Sequence, residues 1–178
     1  MIVNIFALDD DPHQAAIDQC NKHVVKMPIE SAQMLCTALL HMHPTVRQPY
    51  QATHANHPCN RWVRATPANA AWLFAHARSL SNEYTRRYGR RHKTADVLDV
   101  IGPQLVPADW RDHSPFVMAM PLEWQCHDIV TSYRAFYIAE KSRFARWAPR
   151  AVPPAWWPLD ELPLRASARG RSPKNCAA

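Results

Sequence analysis

Long apolar runs are absent from this 178-residue chain, although 47% of its residues are hydrophobic. A membrane-spanning helix needs about 18 to 20 consecutive apolar residues, so we expect no membrane span and no membrane partner. Residues 1–6 also lack the basic leader and long apolar segment of a secretory signal. The sequence therefore predicts a cytoplasmic protein, and its length predicts one compact core rather than two.

Closely spaced cysteine pairs are also absent, and the five cysteines are an odd number. Disulfide-stapled domains carry even sets of cysteines, and zinc ribbons begin with pairs such as Cys-x-x-Cys. Their absence predicts reduced thiols and no metal or other cofactor. A metal-dependent nuclease is a weaker alternative. Its ligands would come from the following residues: His41, His43, His54, His57 and Cys59.

Positive charge is in excess, with a formal net charge of +6, which predicts an anionic partner. The densest run spans residues 86–93, where no acid interrupts the basic side chains. Such a run predicts phosphate contacts with double-stranded DNA, although arginines at a helix C-terminus are also favoured by the helix dipole. The predicted DNA-contacting residues in this run are Arg86, Arg87, Tyr88, Arg90, Arg91, His92 and Lys93. The others are Lys22, Lys26, His57, Arg61 and Arg64.

Helical periodicity dominates the chain and predicts a compact, single-domain all-α fold with a short extended N-terminal arm. Predicted helices cover residues 12–20, 21–43, 66–89, 95–101 and 128–147, and a polar loop occupies 44–64. We place the helical, DNA-acting domain at residues 1–148. Repeated prolines then predict a partly disordered, proline-rich and basic tail over 149–178, with Trp156 and Trp157 packed back on the body.

Residues 21–30 place ionisable side chains along one side of a predicted helix. At 3.6 residues per turn, the face expected to carry chemistry or meet solvent consists of His23, Lys26, Glu30, Gln33, Thr37 and His41. The opposite face, expected in the core, consists of Val25, Ile29, Ala32, Cys36 and Leu39. Pro28 predicts a bend just before Glu30, which could direct that carboxylate into a cleft.

Several short motifs over residues 1–93 resemble the small helical pyrimidine-dimer DNA glycosylases of phages, the endonuclease V type. The matching residues are Asn21-Lys22-His23, Glu30, His57-Pro58, Trp62, Pro67, Leu73, Glu83 and Arg87-Tyr88. The Lys-His-Val-Val-Lys-Met and Asn-His-Pro-Cys motifs are also similar to a largely uncharacterised family of small phage proteins. The resemblance implies a DNA glycosylase and AP lyase that acts on a flipped-out damaged or modified pyrimidine, with Glu30 catalytic.

Two positions differ from the glycosylase pattern. The family attacks the sugar with the amine of a processed N-terminal threonine, whereas this chain begins with Met1 and Ile2, so the Met1 amine is the expected nucleophile. Ile29 stands where the family has an arginine. His23 is expected to set the charge state of Glu30 or to bind phosphate.

Two alternatives remain open. One is a phage DNA base-modifying transferase that acts on a 5-hydroxymethyl pyrimidine, because transfer chemistry needs no terminal amine. The other is a non-enzymatic DNA-binding accessory protein in which Glu30 merely pairs with Lys26 one helical turn away.

Overall fold

The computed structural model describes residues 4–158, and that range contains six α-helices and no strand. The helices are α1 (Pro12–Ile17), α2 (Asn21–Met42), α3 (Pro58–Ala65), α4 (Pro67–Tyr88), α5 (Thr94–Ile101) and α6 (Ile129–Lys141). Three short 3-10 turns lie between α5 and α6, at Gly102–Gln104, Trp110–Asp112 and Leu122–Trp124. The all-α prediction is confirmed. Among residues 4–158, no helix has both the length and the apolar character needed to cross a membrane.

Helix α4 begins and ends where its sequence indicates. The Thr66 hydroxyl accepts a hydrogen bond from the Asn69 backbone N–H at 3.1 Å, and Pro67 occupies the first turn. Gly89 ends the helix with a φ of 68°, a left-handed conformation that glycine adopts without steric cost. The predicted core residues of α4 are all buried: Ala70, Leu73, Ala77, Leu80 and Tyr84.

The two longest helices, α2 and α4, pack against each other, and α1, α3 and α5 pack around them. Helix α2 continues through Pro28, which is buried inside it. Trp72 of α4 is fully buried, and its indole N–H donates to the backbone carbonyl of Asp10 at 2.7 Å. This bond fixes the segment before α1 to the centre of the fold.

The N-terminal segment 4–8 is not helical, as predicted, and all five of its residues are buried. The Asn4 side-chain amide donates to the Ala119 carbonyl at 2.9 Å, and Arg134 Nε donates to the Leu8 carbonyl at 2.8 Å. Phe6 has a φ of 42°, which is rare for a bulky residue and often marks a functional constraint. The segment is therefore a core element rather than a loose arm.

Residues 58–65, predicted as loop, form helix α3. Pro58 occupies its first turn, and His57 caps it because its Nδ1 accepts from the Cys59 backbone N–H at 3.2 Å. The first helix is also shorter than predicted, since it ends at Ile17. Local signals for α3 were therefore present in the sequence, within a segment whose histidines and prolines suggested a loop.

Helix α6 ends at Lys141, six residues before its predicted end. The next residues turn and pack on the start of α2, where the Asn21 backbone N–H donates to the Arg146 carbonyl at 2.8 Å. The Trp147 indole donates to the Asp18 carbonyl at 3.1 Å. These contacts tie the segment after α6 to the start of α2.

The proline-rich segment 149–158 packs back on the body, as predicted. Trp157 is buried with its ring 4.8 Å from that of Trp147, and the Trp156 indole donates to Asp18 Oδ2 at 2.6 Å. Met1 and the basic part of the predicted tail, residues 159–178, lie outside the described residues. The predicted domain boundary at residue 148 stays a prediction.

Candidate functional site

The polar stripe predicted on α2 is not a solvent-facing surface. His23, Glu30 and Thr37 are buried, whereas Val25 and Ile29, expected in the core, are 41% and 39% exposed. The prediction was wrong here because α3, α4 and α5 all pack on α2, so that most of its circumference is enclosed. The remaining predicted core residues are buried: Ala32, Cys36 and Leu39. Two residues of the stripe are exposed to solvent, Lys26 and His41.

Glu30 is only 2% exposed, and its Oε2 accepts no hydrogen bond from any described residue. Lys26 Nζ lies 2.8 Å from Glu30 Oε1, so the two groups form an ion pair at hydrogen-bond distance. Burying a carboxylate costs several kcal/mol unless hydrogen bonds replace those it made with water, and the single ion pair offsets only part of this.

The thiol of Cys59 adjoins the same carboxylate. Burial, together with the negative charge of Glu30, raises the pKa of Cys59 to about 12, although hydrogen bonding with the Ile5 backbone opposes the shift. The Cys59 thiol is therefore protonated at neutral pH and is neither a nucleophile nor a thiolate ligand. Because the Cys59 thiol interacts both with the charge of Glu30 and with the Ile5 backbone, Glu30 lies near the buried N-terminal segment 4–8.

His23 lies seven residues before Glu30, two helical turns away on the same side of α2. Its ring is buried among aromatic rings, with centroid distances of 4.9 Å to Phe6, 5.1 Å to Tyr137 and 5.7 Å to Phe144. Its Nδ1 has no hydrogen-bond partner among the described residues. Phe6, with its unusual backbone conformation, therefore forms one wall of the site.

Burial, followed by the charges of Lys141, Lys26 and Lys22, lowers the pKa of His23 to about 3. His23 is consequently neutral at physiological pH and cannot supply a positive charge for phosphate binding. The three lysines that lower this pKa nevertheless lie near His23, and one of them, Lys141 of α6, was not among the predicted site residues.

We define the basic rim as four cationic side chains near His23 and the adjacent Phe144 ring: Lys22, Lys26, Lys141 and Arg143. Lys22 Nζ lies 4.6 Å from the centroid of the Phe144 ring, and the Arg143 guanidinium lies 5.3 Å from the same ring. Among the described residues, Lys26 alone of the four forms an ion pair. A sequence signal for the two missed members existed, because residues 141–150 contain four cations and no acid.

The α4 basic cluster, residues 86–93, differs from its predicted role. The Arg87 side chain is fully buried, and its Nε donates to Glu83 Oε1 at 2.6 Å. Its terminal nitrogens donate to the Gln19 and Ile17 carbonyls, each at 2.9 Å. Arg86 forms two hydrogen bonds with Glu83, at 2.6 and 2.7 Å. Arg87 therefore fixes α4 to the end of α1 and is withdrawn from the DNA-contacting set.

His92 is also buried, and its Nε2 lies 3.0 Å from the Val25 carbonyl, so it too is withdrawn from that set. Arg91 donates to Asp96 at 2.9 Å and to Asp99 at 2.6 Å, which neutralises its charge. These acids lie just beyond the run that appeared free of acids in the sequence. Arg90 and Lys93 are exposed and form no ion pair among residues 4–158, whereas Tyr88 is half-buried and its hydroxyl donates to the Asn21 carbonyl at 3.4 Å.

The predicted residues near α3 are dispersed. Burial, with the charge of His54, lowers the pKa of His57, whose ring caps the helix. Arg64 donates to the Ala55 carbonyl at 2.7 Å, and Arg61 is exposed. Within residues 4–158, no three His, Cys, Asp or Glu side chains come together as a metal site. The metal-dependent nuclease therefore has no ligand set in this part of the chain.

A small cavity of about 60 Å³ opens between the second half of α2 and α4. Its lining is mainly apolar and includes Ala38, Met42 and Val63, with Arg64 at its edge. None of the predicted catalytic residues lines it.

Comparison with known proteins identifies no relative: no family model matches the chain, and no curated protein or solved structure is detectably similar to it. The resemblance to pyrimidine-dimer glycosylases therefore stays a prediction.

Proposed function

We propose that this protein is a DNA-acting enzyme that removes a flipped-out damaged or modified pyrimidine, as a glycosylase and AP lyase. The observation that carries the proposal is Glu30, a buried carboxylate whose ion-pair partner, Lys26, belongs to the basic rim. A cationic surface suits the phosphates on either side of an extruded nucleotide, and a carboxylate suits the sugar between them.

A target base inside a duplex is shielded by stacking, so the nucleotide must first leave the helix. In the proposed reaction, the basic rim binds the flanking phosphates. Glu30 stabilises the positive charge that develops at the sugar C1′ and then moves protons during imine formation and strand scission. The amine nucleophile that the resemblance implies, that of Met1, lies outside the described residues.

Lys26 provides a route by which DNA could uncover the carboxylate. Its side chain is 46% exposed, whereas that of Glu30 is 3% exposed, so Lys26 lies on the solvent side of the pair. A DNA phosphate that binds Lys26 competes with Glu30 for the ammonium group. In this proposal, phosphate binding releases Glu30 for chemistry at the moment when substrate arrives.

The test uses end-labelled duplexes that carry a thymine dimer, an abasic site or 5-hydroxymethyluracil, incubated with protein in the presence or absence of borohydride and a chelator. We expect a covalent adduct that borohydride traps and that persists with chelator. Glu30→Gln should reduce trapping about 100- to 1,000-fold without lowering DNA affinity, because proton transfer is lost, the rim is kept and Lys26 is freed from its ion pair. The matched control is Glu123→Gln, at an exposed glutamate on the 3-10 turn before α6.

A second candidate is the accessory protein that binds DNA without chemistry, and the Lys26–Glu30 ion pair favours it. In that case the wild-type protein binds every duplex without trapping or cleavage, and Glu30→Gln leaves binding intact. Such a result would rule out the glycosylase proposal. Selective binding of the 5-hydroxymethyluracil duplex without trapping would instead direct the search to base-modifying transfer.

A further inference from the structure

We propose that the ε-amine of Lys141 is the nucleophile of this site, the group that forms an imine with the sugar of the target nucleotide. This inference rests on the proposed function and replaces the Met1 amine with a residue that the structure describes. It also extends to a chemical property that can be tested without DNA: Lys141 should react with a small anionic aldehyde.

The position of Lys141 supports this role. It is the last residue of α6 and is half-buried, and its Nζ lies 5.5 Å from the Phe6 ring centroid and 5.4 Å from that of Phe136. The Phe6 ring also packs on His23, so the amine lies at the aromatic wall of the site. Lys141 has no ion-pair partner among the described residues, whereas the Lys26 ammonium pairs with Glu30 at 2.8 Å.

The electrostatic environment also favours a neutral amine, the form that attacks carbonyl carbon. Burial lowers the pKa of Lys141; Glu140 opposes the shift, and the charges of Arg143 and Lys26 add to it. Lys141 is also the charge with the largest effect on the lowered pKa of His23. Burial and the neighbouring cations therefore disfavour the protonated forms of both Lys141 and His23.

The proposed chemistry balances without an oxidant. The neutral Lys141 amine adds to C1′ of a ring-opened abasic sugar, and the carbinolamine that forms loses its hydroxyl as water to give a protonated imine. Glu30, protonated from solvent once Lys26 has been drawn to a phosphate, supplies the proton for the departing water and, as a carboxylate again, then takes a proton from C2′. The 3′-phosphate leaves with the electron pair of the C3′–O bond. Hydrolysis of the imine restores the amine.

The first experiment uses pyridoxal 5′-phosphate, which joins an aldehyde to a phosphate, followed by borohydride and peptide mapping of the full chain. We expect Lys141 to be labelled at least about tenfold faster than the other four lysines, because a half-buried amine beside cations combines reactivity with phosphate attraction. Uniform labelling, or labelling concentrated on the α-amine, would overturn the assignment. Because this test uses the wild-type protein, it does not depend on the folding of a variant.

The second experiment traps an abasic duplex with borohydride. Lys141→Arg, which keeps the charge, should reduce the adduct more than about 100-fold, a loss far larger than any change in DNA affinity measured on the same duplex. Lys174→Arg, in the segment outside the described residues, is the matched control. Undiminished trapping by Lys141→Arg would refute the assignment. Labelling of Lys141 by the aldehyde without any DNA adduct would refute the proposed function and leave the reactive lysine established.

Discussion

The α4 basic cluster and the basic rim contain similar side chains, but their charges are compensated differently. In the cluster, Arg86 and Arg87 share Glu83, and Arg91 pairs with two aspartates. In the rim, Lys22 and Arg143 lie over an aromatic ring, which attracts a cation without cancelling its charge. The denser basic run in the sequence therefore offers less free charge than the dispersed one.

The difference arises from helical spacing and from packing. An acid three or four residues before an arginine on one helix reaches it directly, as Glu83 does. The rim instead forms where the end of α6 meets the start of α2, two segments that are far apart in the sequence. A run of like charges thus indicates DNA contact only after its neighbours in space are known.

The largest expected difference between the two regions concerns the free energy of unfolding. Arg87→Ala should lower it by about 3 to 5 kcal/mol, because it removes the buried partner of Glu83 and leaves the Gln19 and Ile17 carbonyls without their donor. Arg86→Ala removes an exposed partner of the same carboxylate and should cost less than about 1 kcal/mol. Urea unfolding of both variants checks this. Equal losses would mean that Arg87 is not the structural member of the pair.

Lowering the pH should reduce the free energy of unfolding through His23 and through Glu83 in different pH ranges. The pKa of His23 is about 3 in the folded protein and 6.5 in the unfolded chain, so the unfolded state binds one proton more between these values. Stability should therefore fall as pH decreases below 6.5, by at most about 1.4 kcal/mol per pH unit from this group. Burial alone would raise the pKa of Glu83, but hydrogen bonds from Arg86 and Arg87 outweigh that effect, and the pKa is lowered overall. The stabilisation from these bonds is therefore lost only as the pH falls below about 4.5.

Urea unfolding of the wild type and of His23→Phe between pH 7 and 4.5 tests the contribution of His23. The variant should show the shallower pH dependence. His76, whose pKa burial also lowers to about 3, contributes equally to both proteins and cancels in the comparison. A difference that does not change with pH would contradict a neutral, buried His23.

DNA binding should depend on the rim more than on the cluster. Removing Lys22 and Arg143 together, each to alanine, should weaken binding about tenfold at low salt, and the slope of log affinity against log salt should become shallower by about 0.9 for each cation removed. The matched pair Arg86→Ala and Arg91→Ala should change affinity less than about twofold, because acids already compensate those charges. Fluorescence anisotropy across a salt series measures both. The opposite ranking would restore the cluster as the DNA-contacting surface.

The smallest expected effect comes from removing the acids that compensate the charge of the α4 basic cluster. Asp96→Asn with Asp99→Asn removes both acids that pair with Arg91 and should raise DNA affinity by about two- to threefold at low salt. At high salt the gain should disappear. A gain that salt does not reduce would show that the substitutions act through something other than the freed charge.

Local signals predicted the helices that end at recognisable caps. Thr66-Pro67 and Gly89 bound α4 because cap chemistry depends on a few adjacent residues. The end of α6 was not predictable in this way, because it depends on the bond from Asn21 to Arg146, residues far apart in the chain. Helix α3 was missed although His57 and Pro58 carry a readable start signal.

The candidate site was predictable only in part. Spacing placed His23 and Glu30 on one side of a helix, and the structure keeps them there. Spacing could not show that this side is buried, because burial depends on which other helices pack against α2. Lys141 could not be selected either, since its closeness to His23 depends on how α6 packs on the N-terminal segment.

The contacts of the first part of the chain constrain how the protein is synthesised. Asn4 bonds to Ala119, Leu8 to Arg134, and Asp18 to Trp156, which follows it by 138 residues. At about 5 to 20 residues per second, a ribosome needs on the order of 10 s to deliver these partners. Until then the segment 4–8 lacks its bonds to Ala119 and Arg134, so we expect the fold to be completed only after residue 156 emerges.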